Sequence, residues 1–233
     1  MPSLPAHDAR AVAVVEAIRR GDIESLCEQL QTDPGLARTR IIDEKGVSRT
    51  LLHVAADWPG HFPRAGEAVA ALAAAGAEVT AAVLGSPNAA ETALHWAASS
   101  GDVAVLDALL DCGADIEAAG AIFTGGAAMS DAVIFAQWPA ARRLLERGAE
   151  TTLWQAAALG LLDSVAAQAR AAPPEQLTNA LWHACRGGQL RAAQYLIERG
   201  ANPHWVGHDG KTPLDVARES GAAALVEWLE AQR

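Results

Sequence analysis

A pattern that repeats every 33 residues or so constrains the fold of this 233-residue chain more than any other feature. The related stretches TLLHVAA, TALHWAA and TPLDVAR begin at Thr50, Thr92 and Thr212. A Gly-Ala pair followed by Glu, Asp or Asn begins at Gly76, Gly113, Gly148 and Gly200. Thr92 lies 21 residues before Gly113, and Gly200 lies 12 residues before Thr212, which together give the period of 33. A period of this length predicts an array of stacked structural repeats.

Each repeat has the sequence features of two short helices. Threonine is a good N-cap for the first helix, and leucine and alanine at helical spacing give that helix one apolar face. Glycine suits the end of the second helix, where a left-handed residue is needed. The apolar residues are mostly alanine and leucine, and only 5% of the chain is aromatic, which favours helices over sheets. A single repeat cannot bury its apolar face alone, so the repeats must stack.

The motifs at Thr92 and Thr212 resemble the ankyrin repeat, whose signature is T-P-L-H-x-A at this period. The resemblance covers essentially the whole chain, as an irregular, bacterial-type array of about six to seven repeats. It implies an all-α fold, an ankyrin-repeat α-solenoid of stacked helix-turn-helix units with short β-hairpin fingers. The first helices are predicted to begin near Val12, Thr50, Thr92, Ala127, Thr151, Asn179 and Thr212.

The organisation that follows is one ankyrin-repeat domain over residues 1–233. An N-terminal cap repeat spans about 8–40, further repeats begin at about 48, 91, 126, 151 and 178, and a C-terminal cap repeat spans about 211–233. The segment MPSLPAHDARAVAVVEAIRR at the N-terminus is interpreted as helix rather than as a signal peptide.

Three irregularities interrupt the array. An insertion, DWPGHFPRAG over residues 57–66, contains Pro59, Gly60 and Pro63, which must break the helix there and form a loop. The finger before Thr92, residues 78–90, is longer than usual. Only a few residues separate Gly148 from the next repeat, too few for a hairpin, so the row of fingers should have a gap there. Insertions in repeat arrays often lie on the binding face.

In the ankyrin family the first helices and the fingers line the concave side. The residue after the motif histidine should therefore form a row along that side, made of Val54, Trp96, Asp131, Gln155, His183 and Val216. A second row lies one helical turn further on. From these rows and the insertion, the candidate binding residues are Asp57, Trp58, His61, Trp96, Ser99, Ser100, Asp131, Phe135, Gln155, His183 and Arg186.

Two interpretations of Trp96 stay open, a binding position between Trp58 and Asp131 or a bulky core residue half-buried against the next finger. His53 and His95 occupy the motif position whose imidazole usually bonds to threonine and backbone in this family. Trp154 and Trp182 replace that histidine in two later repeats.

Two groups of residues are candidates for acid–base catalysis. His53 and Asp57 are spaced i,i+4, which allows a carboxylate to orient an imidazole, with His61 close by in the insertion. Asp131 and His183 would flank a ligand on the inner row, with Gln155 between them. No dinucleotide, P-loop, GxSxG or HExxH motif is present, so whether the chain is an enzyme stays open.

The composition narrows the function classes. A net charge of -10 argues against nucleic acid or an anionic membrane as the partner and favours a neutral or basic protein. The three cysteines are isolated, no metal-ligand spacing occurs, and neither a cofactor nor a membrane span is expected, which indicates a cytoplasmic protein. The resemblance implies a non-enzymatic module that binds a protein partner through its concave face and fingers. The alternative is small-molecule binding or acid–base catalysis in a pocket lined by Trp58, Trp96, Asp131, Gln155 and His183.

Overall fold

The computed structural model describes residues 2–85 and 90–231. These divide into two compact units, an N-terminal unit, Met1–Ala149, and a C-terminal unit, Glu150–Arg233. Of the predicted segments, residues 86–89 of the long finger and the last two residues of the C-terminal cap lie outside the described residues.

The N-terminal unit consists of paired helices and a small sheet. Its helices are α1 (Ala9–Arg20), α2 (Ile23–Thr32), α3 (Leu51–Ala56), α4 (Ala65–Ala74), α5 (Ala93–Ser100), α6 (Val103–Asp111), α7 (Ala128–Ile134) and α8 (Trp138–Glu146). The first helices α1, α3, α5 and α7 pack each against the next, and so do the second helices α2, α4, α6 and α8. Buried Leu51, Leu94, Leu106 and Leu144 belong to the core of these two layers.

A three-stranded sheet lies beside the helices of the N-terminal unit. Its strands are β1 (Ser3–Pro5), β2 (Arg40–Ile42) and β3 (Ser48–Thr50), with β1 parallel and β3 antiparallel to β2. Backbone pairing continues from Ser48 to Leu84 and from Ala82 to Thr92 in the next finger. The interpretation of the whole N-terminal segment as helix was therefore wrong at Ser3–Pro5. That strand forms by pairing with residues nearly 40 positions away, which a local pattern cannot reveal.

The insertion forms a loop between α3 and α4, as its prolines and glycine predict. The backbone N–H of His61 donates to Asp102 Oδ2 at 2.6 Å, which ties the loop to the following repeat. Gly60 has a φ of 75° and lies so close to Ser100 that a Cβ would meet its side chain at 2.9 Å. Glycine is needed at this position for both reasons.

The C-terminal unit also consists of paired helices. Its helices are α9 (Leu153–Leu159), α10 (Leu162–Gln168), α11 (Pro174–Arg186), α12 (Leu190–Glu198), α13 (Pro213–Glu219) and α14 (Ala223–Glu230). Helix α11 packs against both α9 and α13, and a shared core includes Leu181, Leu196 and Leu225. Helix α11 begins five residues before the predicted start at Asn179 and contains Asn179 in its interior.

Candidate functional site

Two motif histidines act as caps of their own helices. The Thr50 N–H donates to His53 Nδ1 at 3.3 Å, and His53 Nε2 lies 3.1 Å from the carbonyl oxygen of Glu91 in the next finger. His95 has the same contacts with Thr92 and with the carbonyl of Gly126. Burial lowers the pKa of His53 to about 4 and that of His95 below its usual value, so both favour the neutral form.

The predicted pairing of His53 with Asp57 is wrong. Asp57 Oδ2 instead accepts hydrogen bonds from Arg19 at 3.2 Å and from Arg49 at 3.1 Å. His61 has an exposed side chain in the loop, held there by its backbone N–H. The carboxylate pairs with two arginines because α1 and β3 bring their guanidinium groups to the end of α3, and no acid–base group forms from His53, Asp57 and His61.

An open depression of about 170 Å³ lies where the inserted loop meets the finger before α5. Its lining residues are Ala56, Asp57, Trp58, Glu91, Trp96 and Ser99. Trp58 is 81% exposed there, whereas Trp96 is half-buried. Trp96 contacts His53 edge to face at a centroid distance of 5.0 Å, and its Nε1–H donates to Glu91 Oε2 at 3.3 Å. Trp96 combines features of both interpretations, because its side chain packs on buried His53 and also lines the depression.

The two predicted serines are used by their own helix. Ser99 Oγ donates to the carbonyl of Trp96 at 2.9 Å, and Ser100 Oγ donates to that of Ala97 at 3.3 Å. Such bonds satisfy the hydroxyls locally. Ser99 nevertheless lines the depression, and Ser100 supports the inserted loop at Gly60.

Asp131 is the most unusual polar residue of the N-terminal unit. Its side chain on α7 is fully buried, and among the described residues neither carboxyl oxygen makes a hydrogen bond of ordinary geometry, although the backbone N–H of Ile122 lies near enough to favour the charged form. Burial, reinforced by the nearby charge of Glu91, raises the pKa of Asp131 to about 7, against a weaker lowering by the backbone N–H of Ile122. Asp131 therefore holds a proton for part of the time at neutral pH.

Phe135 lies at the end of the same helix and is 42% exposed. Its ring is 6.1 Å, centroid to centroid, from that of Phe123, a finger residue that is 68% exposed. The position of Phe135 was predicted from the helical repeat, but Phe123 was not, because nothing in the finger sequence marks which side chain turns toward the helices.

The C-terminal unit holds the remaining predicted residues. Gln155 is buried, and its Oε1 accepts a hydrogen bond from the Thr152 N–H at 2.8 Å. The predicted helix start at Thr151 is therefore wrong by one residue, and Gln155, not Trp154, takes the capping role of the motif histidine. The shift arises because α9 is one residue shorter at its N-terminus than α5. Gln155 lies five residues before Gly160, just as Trp96 lies five residues before Gly101, but the threonine cap of α9 is one residue closer.

His183 lies inside an aromatic cluster. Its ring centroid is 4.6 Å from Trp154, 5.0 Å from Trp182 and 5.5 Å from His208. Burial, with smaller contributions from His208 and Arg186, lowers the pKa of His183 to about 3. The Nδ1 atom has no partner among the described residues, and the ring is neutral over the physiological range.

Trp182 and Arg186 complete this cluster. The Trp182 Nε1–H donates to the carbonyl of Lys211 at 3.0 Å, which is the bond that His53 and His95 make through Nε2. Trp182 thus replaces the motif histidine, as the alignment of repeats predicts. The Arg186 guanidinium lies 5.9 Å from the centre of the Trp182 ring, a cation–π distance. Partial burial lowers the pKa of Arg186.

Sequence reasoning missed Glu91, a nearly buried carboxylate that lines the depression beside Trp96. One signal was available, because Glu91 directly precedes the Thr92 cap and so ends the finger that approaches the preceding repeat. Within the described ranges, no group of three or more histidine, cysteine or carboxylate residues is arranged to hold a metal ion. In the same part of the chain, no helix combines the length and apolar character needed to cross a membrane.

Helix pairs in two layers, joined by turns and extended fingers and capped by threonine and histidine, define a helical-repeat protein. The chain belongs to the ankyrin repeat family, because the family model described as "Ankyrin repeats (3 copies)" matches residues 14–120 and 153–232. Both the predicted family and the predicted fold class are thereby confirmed.

The chain is also similar to two curated proteins and to one solved structure. The chain is 39% identical over 66 residues to the ARF GTPase-activating protein GIT1 of Homo sapiens and, to the same extent, of Mus musculus. The aligned segment is 28% of this chain and 9% of each relative, so the likeness covers about a tenth of their length. The crystal structure of the human ASB11 ankyrin repeat domain is 20% identical, with a TM-score of 0.56 over 93% of this chain and 96% of that domain. This structural likeness shows the fold alone.

Proposed function

We propose that the chain binds a protein partner through the first helices and fingers of its N-terminal unit. Ankyrin repeats are generally protein-interaction modules. The observation that carries the proposal is the 81% exposure of Trp58 on a loop that is hydrogen-bonded to the next repeat. A large aromatic side chain held in water by an ordered loop is typical of a binding surface, and tryptophan is enriched among the residues that dominate binding energy.

Further apolar exposure in the same unit supports this proposal. Phe123 and Phe135 form a second exposed aromatic pair, and Trp96 lines the depression next to Trp58. Trp58, Trp96, Phe123 and Phe135 are called the aromatic surface below. Trp58 comes from the inserted loop, Phe123 from a finger, Trp96 from first helix α5 and Phe135 from the end of first helix α7. First helices and fingers are the elements that the ankyrin family uses for recognition.

The alternative of a small-molecule or catalytic pocket has less support. The depression at Trp96 is open and holds about 170 Å³. Pockets that enclose drug-sized ligands commonly hold about 300–1,000 Å³. His53 and His95 are committed to capping, and His183 is packed among aromatic rings. These contacts favour the recognition module.

The test compares immobilised wild-type protein with Trp58→Ala in affinity capture from an extract of the source organism, read out by quantitative mass spectrometry. We expect at least one protein that the wild type retains and Trp58→Ala loses. Val206→Ala is the control, because Val206 is 61% exposed in a finger of the C-terminal unit. A set of captured proteins that Trp58→Ala leaves unchanged contradicts the proposal. A small molecule retained by the wild type in native mass spectrometry, without any such protein, supports the alternative instead.

A further inference from the structure

The finger between α6 and α7 has an anchored base and a short tip, residues 121–125. At the base, His95 Nε2 lies 3.2 Å from the carbonyl oxygen of Gly126, and the N–H of Gly120 donates to the same oxygen at 2.9 Å. Gly120 and Gly125, on either side of the tip, have φ values of 153° and 68°. Glycine allows the backbone to change direction at such positions, so the tip can move while the base stays in place.

The tip contacts α7 at a buried and at an exposed position. The backbone N–H of Ile122 lies near the carboxyl group of Asp131, which is fully buried and makes no hydrogen bond of ordinary geometry in the described part of the chain. One helical turn further along α7, the ring of Phe135 is 6.1 Å from that of Phe123. Burial of Asp131 and the contact between the two phenylalanine rings therefore both depend on where the tip lies.

Few charged groups act on Asp131. Glu91, in the preceding finger, does so through its negative charge. On α5, which packs against α7, the titratable residue is His95, and burial lowers its pKa so that it is neutral near pH 7. The tip has no titratable side chain. Helix α8 also packs against α7, but none of its charged residues acts on Asp131 within the described ranges; they are Arg142, Arg143 and Glu146.

These surroundings make ionisation of Asp131 unfavourable while the tip is closed. A carboxylate that is removed from water and lies near another negative charge is destabilised, and the Ile122 N–H offsets only part of this cost. The pKa of Asp131 is accordingly raised from 3.8 to about 7. Water that reaches the carboxylate when the tip moves away stabilises its charge and returns the pKa toward 3.8.

We propose that residues 121–125 form a proton-operated gate over Asp131, which closes on α7 while the carboxyl group is protonated and opens when it is ionised. The closed form binds the proton more tightly, so the ratio of open to closed molecules rises by up to about tenfold for each pH unit between 3.8 and 7. Above about 7 both forms are ionised, and the ratio is constant.

Opening also separates Phe123 from Phe135 and so changes the aromatic surface. The gate itself does not depend on the proposed function, but this consequence does. If the partner binds the closed arrangement of the two rings, its affinity decreases as pH rises toward about 7 and then stays constant.

The test is an NMR experiment on the full chain with labelled isoleucine methyl groups and labelled phenylalanine rings, from acidic to mildly alkaline pH. Relaxation dispersion of the Ile122 methyl group detects a minor open form that exchanges in microseconds to milliseconds. The open population should rise by about tenfold or more between mildly acidic and neutral pH, and the nuclear Overhauser effect between Phe123 and Phe135 should weaken with it. The methyl group of Ile18, fully buried in α1, is the internal control and should not respond.

Two matched variants assign the effect to one carboxyl group. Asp131→Asn stays uncharged, so both signals should keep their acidic values at every pH. Asp115→Asn makes the same change at an exposed carboxylate in the same finger and should keep the pH dependence of the wild type. Signals of the wild type that do not change with pH, or an equal pH dependence in Asp131→Asn, overturn the gate.

The wild type alone also decides the matter if Asp131→Asn does not fold. The carbon signal of the Asp131 carboxyl group should titrate over the pH range in which the Ile122 signal changes, and a titration without that change refutes the gate. A partner that depends on Trp58 in affinity capture, together with a tip that is insensitive to pH, refutes the gate and leaves the proposed function standing. A tip that opens with pH, without any partner that depends on Trp58, supports the gate and refutes the proposed function.

Discussion

Trp96 in the N-terminal unit and His183 in the C-terminal unit occupy the same place in their repeats, five residues before Gly101 and Gly188. Each contacts an aromatic residue of the preceding repeat. Trp96 contacts His53, and His183 contacts Trp154. Around Trp96 the surface is open. Around His183, Trp182 and His208 close the space and leave the ring 6% exposed.

The difference shows how one repeat position serves two purposes. Aromatic rings that contact each other, as around His183, contribute to the stability of the unit. An aromatic ring held in water, as at Trp58, contributes little to stability and is available to a partner. The C-terminal cluster is therefore interpreted as structural and the aromatic surface of the N-terminal unit as the binding region.

The largest effect on stability is expected at Trp182, where the structural role of the C-terminal cluster can be tested. Trp182→Ala removes a side chain that is 2% exposed, its hydrogen bond to Lys211 and its contacts with His183 and His208. We expect a loss of about 3–5 kcal/mol in the free energy of unfolding, measured by urea denaturation. A loss below ~1 kcal/mol would mean that the cluster is not a stabilising core and that the distinction between the two units is wrong.

Asp131 and His183, two of the buried titratable groups, should contribute opposite pH dependences to stability. Asp131 has a pKa of about 7 in the folded chain and 3.8 as a free side chain, so the folded state binds more protons between these values. The contribution of Asp131 to stability should fall as pH rises across this window, by up to about 4 kcal/mol, and stay constant above it. Asp131→Asn should remove this fall in urea unfolding curves measured from acidic to mildly alkaline pH. Identical pH profiles for wild type and variant would show that Asp131 is ionised at no cost.

Titration of His183 should change the free energy of unfolding in the opposite direction. Its pKa falls from 6.5 to about 3 on folding, so the unfolded state binds more protons between these values. The contribution of His183 to stability should rise with pH across this window and level off above about 6.5, so His183→Asn should make the rise smaller and leave the part that buried His53 contributes. The change in unfolding free energy that His183 contributes should not exceed about 5 kcal/mol, and separate unfolding of one unit would make the measured change smaller. A variant whose rise is as large as that of the wild type would show that His183 contributes none of it.

A smaller effect is expected at the shifted cap. Gln155→Ala removes the acceptor of the Thr152 N–H and should cost roughly 1 kcal/mol of unfolding free energy, as loss of a helix cap does. Trp154→Phe keeps the ring next to His183 and leaves that cap intact, so it should cost less. A larger stability loss for Trp154→Phe than for Gln155→Ala would indicate that Trp154 takes the role of the motif histidine, as the sequence alignment alone predicts.

The smallest effect on stability is expected at Trp58, and this contrast sharpens the comparison. Trp58→Ala should change the free energy of unfolding by no more than about 0.5 kcal/mol, because the side chain is 81% exposed. The same variant should lose the partner in affinity capture. A stability loss as large as that of Trp182→Ala would make Trp58 a structural residue and remove the main support for the binding surface.

The sequence alone determined the architecture. The 33-residue period, the threonine caps and the closing glycines predicted the ankyrin fold and most helix starts, since these signals act within one helix or turn. The prolines of the insertion likewise predicted the loop that carries Trp58. Helix period was enough to predict that Trp96, Asp131 and His183 occupy equivalent positions.

Only the tertiary structure decided what those residues contact. Asp57 pairs with Arg19, 38 residues away, and not with His53, four residues away. Glu91 accepts a hydrogen bond from the indole N–H of Trp96, and Trp182 donates to the carbonyl of Lys211 in the next finger. Asp131 is buried, with no hydrogen bond of ordinary geometry to the residues that the structure describes. Most of these interactions join residues about one repeat apart, or depend on how deeply stacking buries a side chain. A periodic pattern states that repeats stack, but the distances and burial that set charge, pKa and exposure arise from the side chains that the stacking brings together.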